Sequence, residues 1–184
     1  MSRFIPCNIP TYLSYSKLAF LDRDGTLIVE KHYLSDPTLI ELEREVVHGL
    51  HRLQDAGFGL IMVTNQSGIG RGFYTEDAFH AVQTALLHQL AMENLFFLGY
   101  SWCPHHPEAT LERYRMTCTC RKPNPGMITD GLARFRIPAK HCIMIGDQDT
   151  DIQAGQAAGV SSIKVHPTGF PTFAQAVALL VPEA

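Results

Sequence analysis

The sequence predicts an α/β fold, a doubly wound, Rossmann-like parallel sheet. Two observations carry that prediction. Short apolar runs alternate with longer amphipathic stretches, and polar residues gather directly after the apolar runs. Strand–helix alternation of this kind belongs to a parallel sheet covered by helices on both faces. With 184 residues, 46% of them hydrophobic, the chain can bury one sizeable core.

Taken in order, residues 1–16 mix prolines with polar side chains and read as a loosely attached arm. Lys17–Leu21 is a buried strand ending at Asp22. Glu43–Ala56 is a helix, with Val46, Val47, Leu50 and Leu53 at helical spacing, and Gly59–Val63 is the next strand. Thr75 caps a long amphipathic helix running to about Asn94. Phe96–Trp102 is a strand entering a cysteine-bearing loop. Pro125 opens a helix to about Phe135, proline being tolerated at the first helical position. His141–Ile145 is a buried strand, followed by a short helix to about Ala158 and a strand at Ser161–Val165.

Composition narrows the function. A net charge of −3 and a pI of about 6.3 leave no broad basic surface for nucleic acid or an anionic membrane. The apolar runs are too short to cross a bilayer, and the N-terminus lacks a signal peptide's continuous apolar segment, so a cytoplasmic location is expected. The cysteines are Cys7, Cys103, Cys118, Cys120 and Cys142. Three of them crowd one loop with His105 and His106, a poor disulfide framework and a good start on a metal site. Cys7 and Cys142 have no such neighbours.

Ligands of doubly wound sheets bind at the carboxyl ends of the strands. FLDRDGTL offers Asp22, Asp24 and Thr26 there; VTNQSGIGRG offers Thr64, Asn65, Ser67 and a glycine-rich turn; IGDQDTD offers Asp147, Gln148 and Asp151; CRKPNPG offers Arg121 and Lys122. Converging carboxylates repel one another unless a cation joins them, and oxygen ligands suit Mg²⁺. With a lysine and hydroxyl or backbone donors they make a phosphoryl site. One aspartate could attack phosphorus, and a second could protonate the leaving oxygen and then deprotonate water. Each motif alone also reads as a turn, a helix cap or a solvated charge. Their joint occurrence at successive strand ends favours chemistry.

DRDGT, VTN, RKP and GDQDTD resemble, in order, the four motifs of haloacid dehalogenase (HAD) superfamily phosphatases. The resemblance implies a HAD-like phosphatase domain over residues 17–184, with Asp22 as nucleophile and Asp24 as acid and base. Thr64 and Lys122 would hold the phosphoryl group. Asp147, Asp22 and the backbone carbonyl of Asp24 would hold Mg²⁺. Asp24 stands where the superfamily's ion pumps carry Thr, which implies a phosphatase.

FLDRDGT, VTNQSGIGRG, CPHHP, CRKPNPGM and GDQDTD, over about Leu18 to Val165, are similar to the heptose bisphosphate phosphatase branch of that family. The implied reaction is removal of the 7-phosphate of D-glycero-D-manno-heptose 1,7-bisphosphate, in making nucleotide-activated heptose for lipopolysaccharide or surface glycans. The branch also implies a structural Zn²⁺ on Cys103, His105, Cys118 and Cys120. That set is closed and tetrahedral, with no open position for catalysis. The twelve residues between its two pairs are too polar to fold on their own core, so the metal would hold the loop and fix Arg121 and Lys122.

By the same correspondence Glu30, Lys31, His32 and Tyr33, with Thr64, Asn65, Gln66 and Ser67, would line the sugar. Arg121 would read a second phosphate through its guanidinium fork. Gln148 stands where several members carry Lys, and an amide there would hold a sugar hydroxyl. The segment between Asp24 and Thr64 is too short for a large cap domain. Histidinol-phosphate phosphatases share the motifs and a similar zinc loop, but the long HPEATLERYRMT span favours the heptose branch. Modules acting on DNA 3′-phosphates need a basic surface that is missing. A silent zinc-stapled binding domain need not keep Asp22, Asp24, Lys122 and Asp147. The expected partner is a small sugar bisphosphate, with no nucleic acid or membrane, and the chain is expected to be a monomer.

Overall fold

The computed structural model describes residues 3–181. Met1, Ser2 and residues 182–184, the outer ends of the predicted arm and domain, lie outside the described residues. The strands are β1 (Arg3–Pro6), β2 (Lys17–Leu21), β3 (Phe58–Asn65), β4 (Phe97–Cys103), β5 (Cys142–Gly146) and β6 (Ser161–Lys164). They form one sheet in the order β1-β4-β3-β2-β5-β6. Pairing is parallel throughout except between β1 and β4.

The helices are α1 (Val46–Asp55), α2 (Ser67–Gly70), α3 (Glu76–Met92), α4 (Gly126–Phe135), α5 (Asp149–Ala157) and α6 (Phe173–Leu180). Alternation along β2 divides the core in two. Ala19 and Leu21 pack with α1, α3 and α6 residues such as Leu50, Phe79, Leu86 and Val177. Leu18 and Phe20 pack with Met127 and Ile128 of α4 and Ala154 of α5. The architecture is therefore the predicted three-layer α/β sandwich. Residues 25–57 hold only a one-turn 3₁₀ helix (Pro37–Leu39) and α1, so no large cap covers the strand ends.

Three features depart from the sequence reading. The arm is not loose over Arg3–Pro6, which is an antiparallel edge strand with Arg3 opposite Trp102 and Pro6 opposite Gly99. The Phe4 ring lies where a Cβ on Gly99 would sit, 2.3 Å from that position, and meets Phe135 edge-on at 5.9 Å. Such a short strand carries no periodic signal of its own, and an edge tolerates its proline. The helix expected from Glu43 begins at Val46, because Leu42 bridges to Ile28 and the Glu43 amide donates to the Leu27 carbonyl. Finally, α6, capped by Thr172 and packed on α1 through Phe173, lies beyond the last element expected.

Candidate active site

The carboxyl ends of β2, β3 and β5 are adjacent in the sheet, so their polar extensions meet. An inner hollow of about 200 Å³ is lined by Asp22, Asp24, Thr64, Asn65, Lys122 and Asp151 among others. It adjoins an outer cleft of about 360 Å³, which shares Asp24, Glu30, Asn65 and Gln148 with it.

Lys122 sits at the centre of the inner hollow. Its buried ammonium lies 2.6 Å from Asp22 Oδ1, 2.6 Å from Asp151 Oδ1 and 3.0 Å from the Val63 carbonyl. Burial alone would lower the ammonium's pKa, but the two carboxylates outweigh it and the net shift is upward. Burial pushes the Asp22 carboxyl up to about 8; Lys122 opposes the rise and Asp151 adds to it. Asp147 is raised as well, chiefly by burial. One oxygen each from Asp22, Asp147 and Asp151 lies within 4.8 Å of the others, an all-oxygen donor set that fits a hard divalent cation. Backbone approach makes this convergence possible. Gly25, at φ +76°, would carry a Cβ 2.6 Å from Asp147 Oδ2, and a Cβ on Gly146 would stand 2.3 Å from Asp151 Oδ2.

The Asp24 carboxylate lines the same hollow but is not one of that group. It accepts from Arg23 Nη2 at 2.9 Å and from Gln66 Nε2 at 2.8 Å. Gln66 also donates to Thr64 Oγ1 at 2.7 Å and accepts from the Tyr74 hydroxyl at 2.5 Å, so it ties the second strand end to the first. Burial raises the Tyr74 pKa, which keeps its hydroxyl a donor. Arg23 is buried, with its guanidinium over the Phe79 ring at 5.4 Å. Asn65 exchanges two 3.1 Å hydrogen bonds with the backbone of Lys122. It thereby fixes the lysine rather than merely lining a wall.

Of the residues expected around the sugar, Glu30, His32, Tyr33, Asn65, Gln66, Ser67 and Gln148 line the outer cleft. The Gln148 amide donates to Asp147 Oδ2. Three expected residues are not brought there, Thr64 lining the inner hollow instead. Lys31 is paired with Glu41 at 2.8 Å, and Arg121 lines a separate hollow with His106, Glu108 and Met116 while Nη1 donates to the His105 carbonyl at 3.4 Å. Sequence reasoning missed the locking roles of Arg23, Asn65 and Tyr74. It noted Asp151 at its strand end without giving it a role, although its four-residue spacing from Asp147 was a usable signal.

The cysteine loop closes beside this site. Cys103 Sγ lies 3.5 Å from Cys118 Sγ and 3.3 Å from Cys120 Sγ, which is 3.3 Å from Cys118 Sγ. His105 Nδ1 is 3.6 Å from Cys103 Sγ and 3.5 Å from Cys120 Sγ. All five cysteines are free thiols. Four donors at these separations are close to the edges of a tetrahedron with metal–sulfur bonds of about 2.3 Å. Hydrogen bonding with Cys103 lowers the Cys120 pKa to about 5. His106 stays outside the cluster and meets Arg71 at 3.1 Å.

An acidic, lysine-centred pocket at the strand ends of this sheet defines a HAD-like hydrolase, and residues 119–172 match the HAD-hydrolase-like family model. Over 152 residues the chain is 38% identical to D-glycero-beta-D-manno-heptose-1,7-bisphosphate 7-phosphatase of Escherichia coli K12, covering 83% of this chain and 80% of that protein. It is 36% identical over 156 residues to D-glycero-alpha-D-manno-heptose-1,7-bisphosphate 7-phosphatase of Photorhabdus laumondii, covering 85% of each. The crystal structure of D,D-heptose 1,7-bisphosphate phosphatase from B. bronchiseptica, complexed with magnesium and phosphate, matches with a TM-score of 0.78 at 26% identity, covering 91% of this chain and 99% of that one. The chain belongs to the D-glycero-D-manno-heptose-1,7-bisphosphate 7-phosphatase family and is a phosphatase of the HAD-like fold. Among the described residues no helix is long and apolar enough to cross a membrane.

Proposed function

We propose that the protein hydrolyses the 7-phosphate of D-glycero-D-manno-heptose 1,7-bisphosphate through an aspartyl-phosphate on Asp22. The observation that carries the reading is the buried Asp22–Lys122–Asp151 contact beside Asp147, at the ends of adjacent strands. The names of the relatives supply the substrate. Asp22 attacks phosphorus while the bond to the sugar oxygen breaks, and Asp24 gives that oxygen a proton. Asp24 then takes a proton from water, which attacks the aspartyl-phosphate and releases inorganic phosphate and the free Asp22 carboxylate. Lys122 and the Thr64 hydroxyl hold the phosphoryl oxygens, and Arg23 and Gln66 aim Asp24.

Asp22, Asp147 and the Asp24 backbone carbonyl would hold Mg²⁺, with Asp151 beside them. The ion supplies charge neutralisation of the phosphoryl oxygens. Zn²⁺ on Cys103, His105, Cys118 and Cys120 would be structural, holding the loop that delivers Lys122. Glu30, His32, Tyr33, Ser67 and Gln148 line the sugar. The reading takes the protein as a cytoplasmic monomer acting on a small sugar bisphosphate.

Mg²⁺-dependent phosphate release tests the reading, comparing heptose 1,7-bisphosphate with fructose 1,6-bisphosphate and histidinol phosphate. A strong preference for the heptose, with only the 7-phosphate lost, is expected. A preference for histidinol phosphate would keep the chemistry and overturn the substrate.

A further inference from the structure

The outer cleft is lined by polar and by aromatic groups. Glu30, Ser67 and Gln148 offer carboxylate, hydroxyl and amide groups matched to hydroxyls, while the Asn65 and Gln66 amides are held by Lys122, Asp24, Thr64 and Tyr74. Tyr33 lines the cleft, its ring centroid 4.5 Å from that of Phe73 and 6.5 Å from that of Tyr74. Both Tyr33 and Phe73 are large and exposed, at 44% and 59% of their surface, and Phe73 reaches the polar cleft only through its contact with the lining Tyr33.

Tyr33 is held in place. The Tyr33 and Tyr74 rings lie directly on Gly68, where a Cβ would stand 2.6 Å from Tyr33 Cδ1 and 2.3 Å from Tyr74 Cε1. His32 and Tyr33 are successive non-glycine residues in the left-handed region, at φ 43° and 66°. Backbone held this way costs free energy and persists where the surroundings over-determine it, most often at functional sites. Tyr74 in turn donates to Gln66, which donates to Asp24, so the aromatic group is continuous with the acid–base residue.

The cations of the cleft do not compete for this role. Arg23 is engaged by Asp24, and His32 lies beside Glu30 at 3.8 Å. Beside its hydroxyl-binding groups the cleft therefore offers the apolar ring of Tyr33, backed by Phe73. A pyranose has matching groups, hydroxyls around its edge and C–H groups on its faces.

We propose that Tyr33 and Phe73 form an aromatic lip that receives a C–H face of the substrate's sugar ring and selects ring sugar phosphates over small open-chain phosphomonoesters. The proposal rests on the sugar-phosphate reading of the site, and it assigns Phe73 a specificity role. Because Phe73 is exposed, its replacement leaves the core intact.

The test compares wild type, Phe73→Ala and Phe73→Tyr on heptose 1,7-bisphosphate and on glycerol 3-phosphate, which has no ring. Phe73→Ala is expected to lower kcat/KM for the heptose about tenfold, chiefly through KM, and to leave glycerol 3-phosphate within about twofold. Phe73→Tyr restores the heptose value. Parallel loss on both substrates, or no loss on either, overturns the lip. If wild type rejects the heptose but takes other ring sugar phosphates, the substrate reading fails, and the same ratio is read with those sugars. For a protein that turns over none of them, the ring resonances of Tyr33 and Phe73 in Asp22→Asn are followed by NMR as heptose 1,7-bisphosphate is added. Shifted resonances support the lip, and unmoved ones overturn it.

Discussion

Replacing Lys122 with Met removes the charge around which the inner hollow is built and keeps most of the side chain's volume. The ammonium is the 2.6 Å partner of both Asp22 and Asp151, and it donates to the Val63 carbonyl at 3.0 Å. Without it, two buried carboxylates face each other unpaired. Removing one partner of a buried ion pair costs about 3–5 kcal/mol. For a chain of this size that is a fall in Tm on the order of 6–20 °C. The sign with pH follows from Asp22. Its folded-state pKa of about 8 lies above the unfolded value, so protonation favours the fold. Metal-free wild type therefore loses stability as pH rises toward 8 and levels off above it. In Lys122→Met the Asp22 carboxyl rises further, so stability keeps falling above that pH. Calorimetry in Mg²⁺-free buffer should show a Tm deficit at pH 9 larger than that at pH 6, together with loss of phosphate release. An unchanged Tm at pH 9, or equal deficits at both pH values, would refute the ion-pair reasoning.

Cys118→Ser removes a sulfur lying 3.3 Å from Cys120 Sγ; zinc content should fall from about one per chain toward none, with a lower Tm, as read by metal analysis and calorimetry. Asn65→Ala breaks both hydrogen bonds that fix the Lys122 backbone, so steady-state assays should show kcat down on the order of 10- to 100-fold while circular dichroism stays unchanged. Gly146→Ala drives a Cβ to 2.3 Å from Asp151 Oδ2, and denaturant unfolding should register a loss of about 1–3 kcal/mol together with weaker Mg²⁺ binding.

Much of this protein is written locally. Strand runs such as Lys17–Leu21 are apolar because they are buried on both faces of a parallel sheet, and the Thr75 cap and the amphipathic run after it act within a few residues. Those signals, together with the groups that follow each strand, suffice for the fold class and for Asp22, Asp24, Thr64, Lys122 and Asp147 as candidates. The three loop cysteines were likewise legible with a neighbouring histidine, while the choice of His105 over His106 came from the family resemblance. Tertiary structure alone decided the rest. Arg3–Pro6 becomes a strand only because β4 offers an edge and Gly99 leaves room for Phe4. Asp24 turns to Arg23 and Lys31 turns to Glu41 because nearby opposite charges compete for each, and Arg121 lines another hollow while donating to the His105 carbonyl. Tyr33 and Phe73, forty residues apart, meet through the packing of two loops. The physical division is one of range. Burial periodicity and capping act between near neighbours in the chain, whereas ion pairing and ring packing depend on which distant segments the sheet order brings side by side.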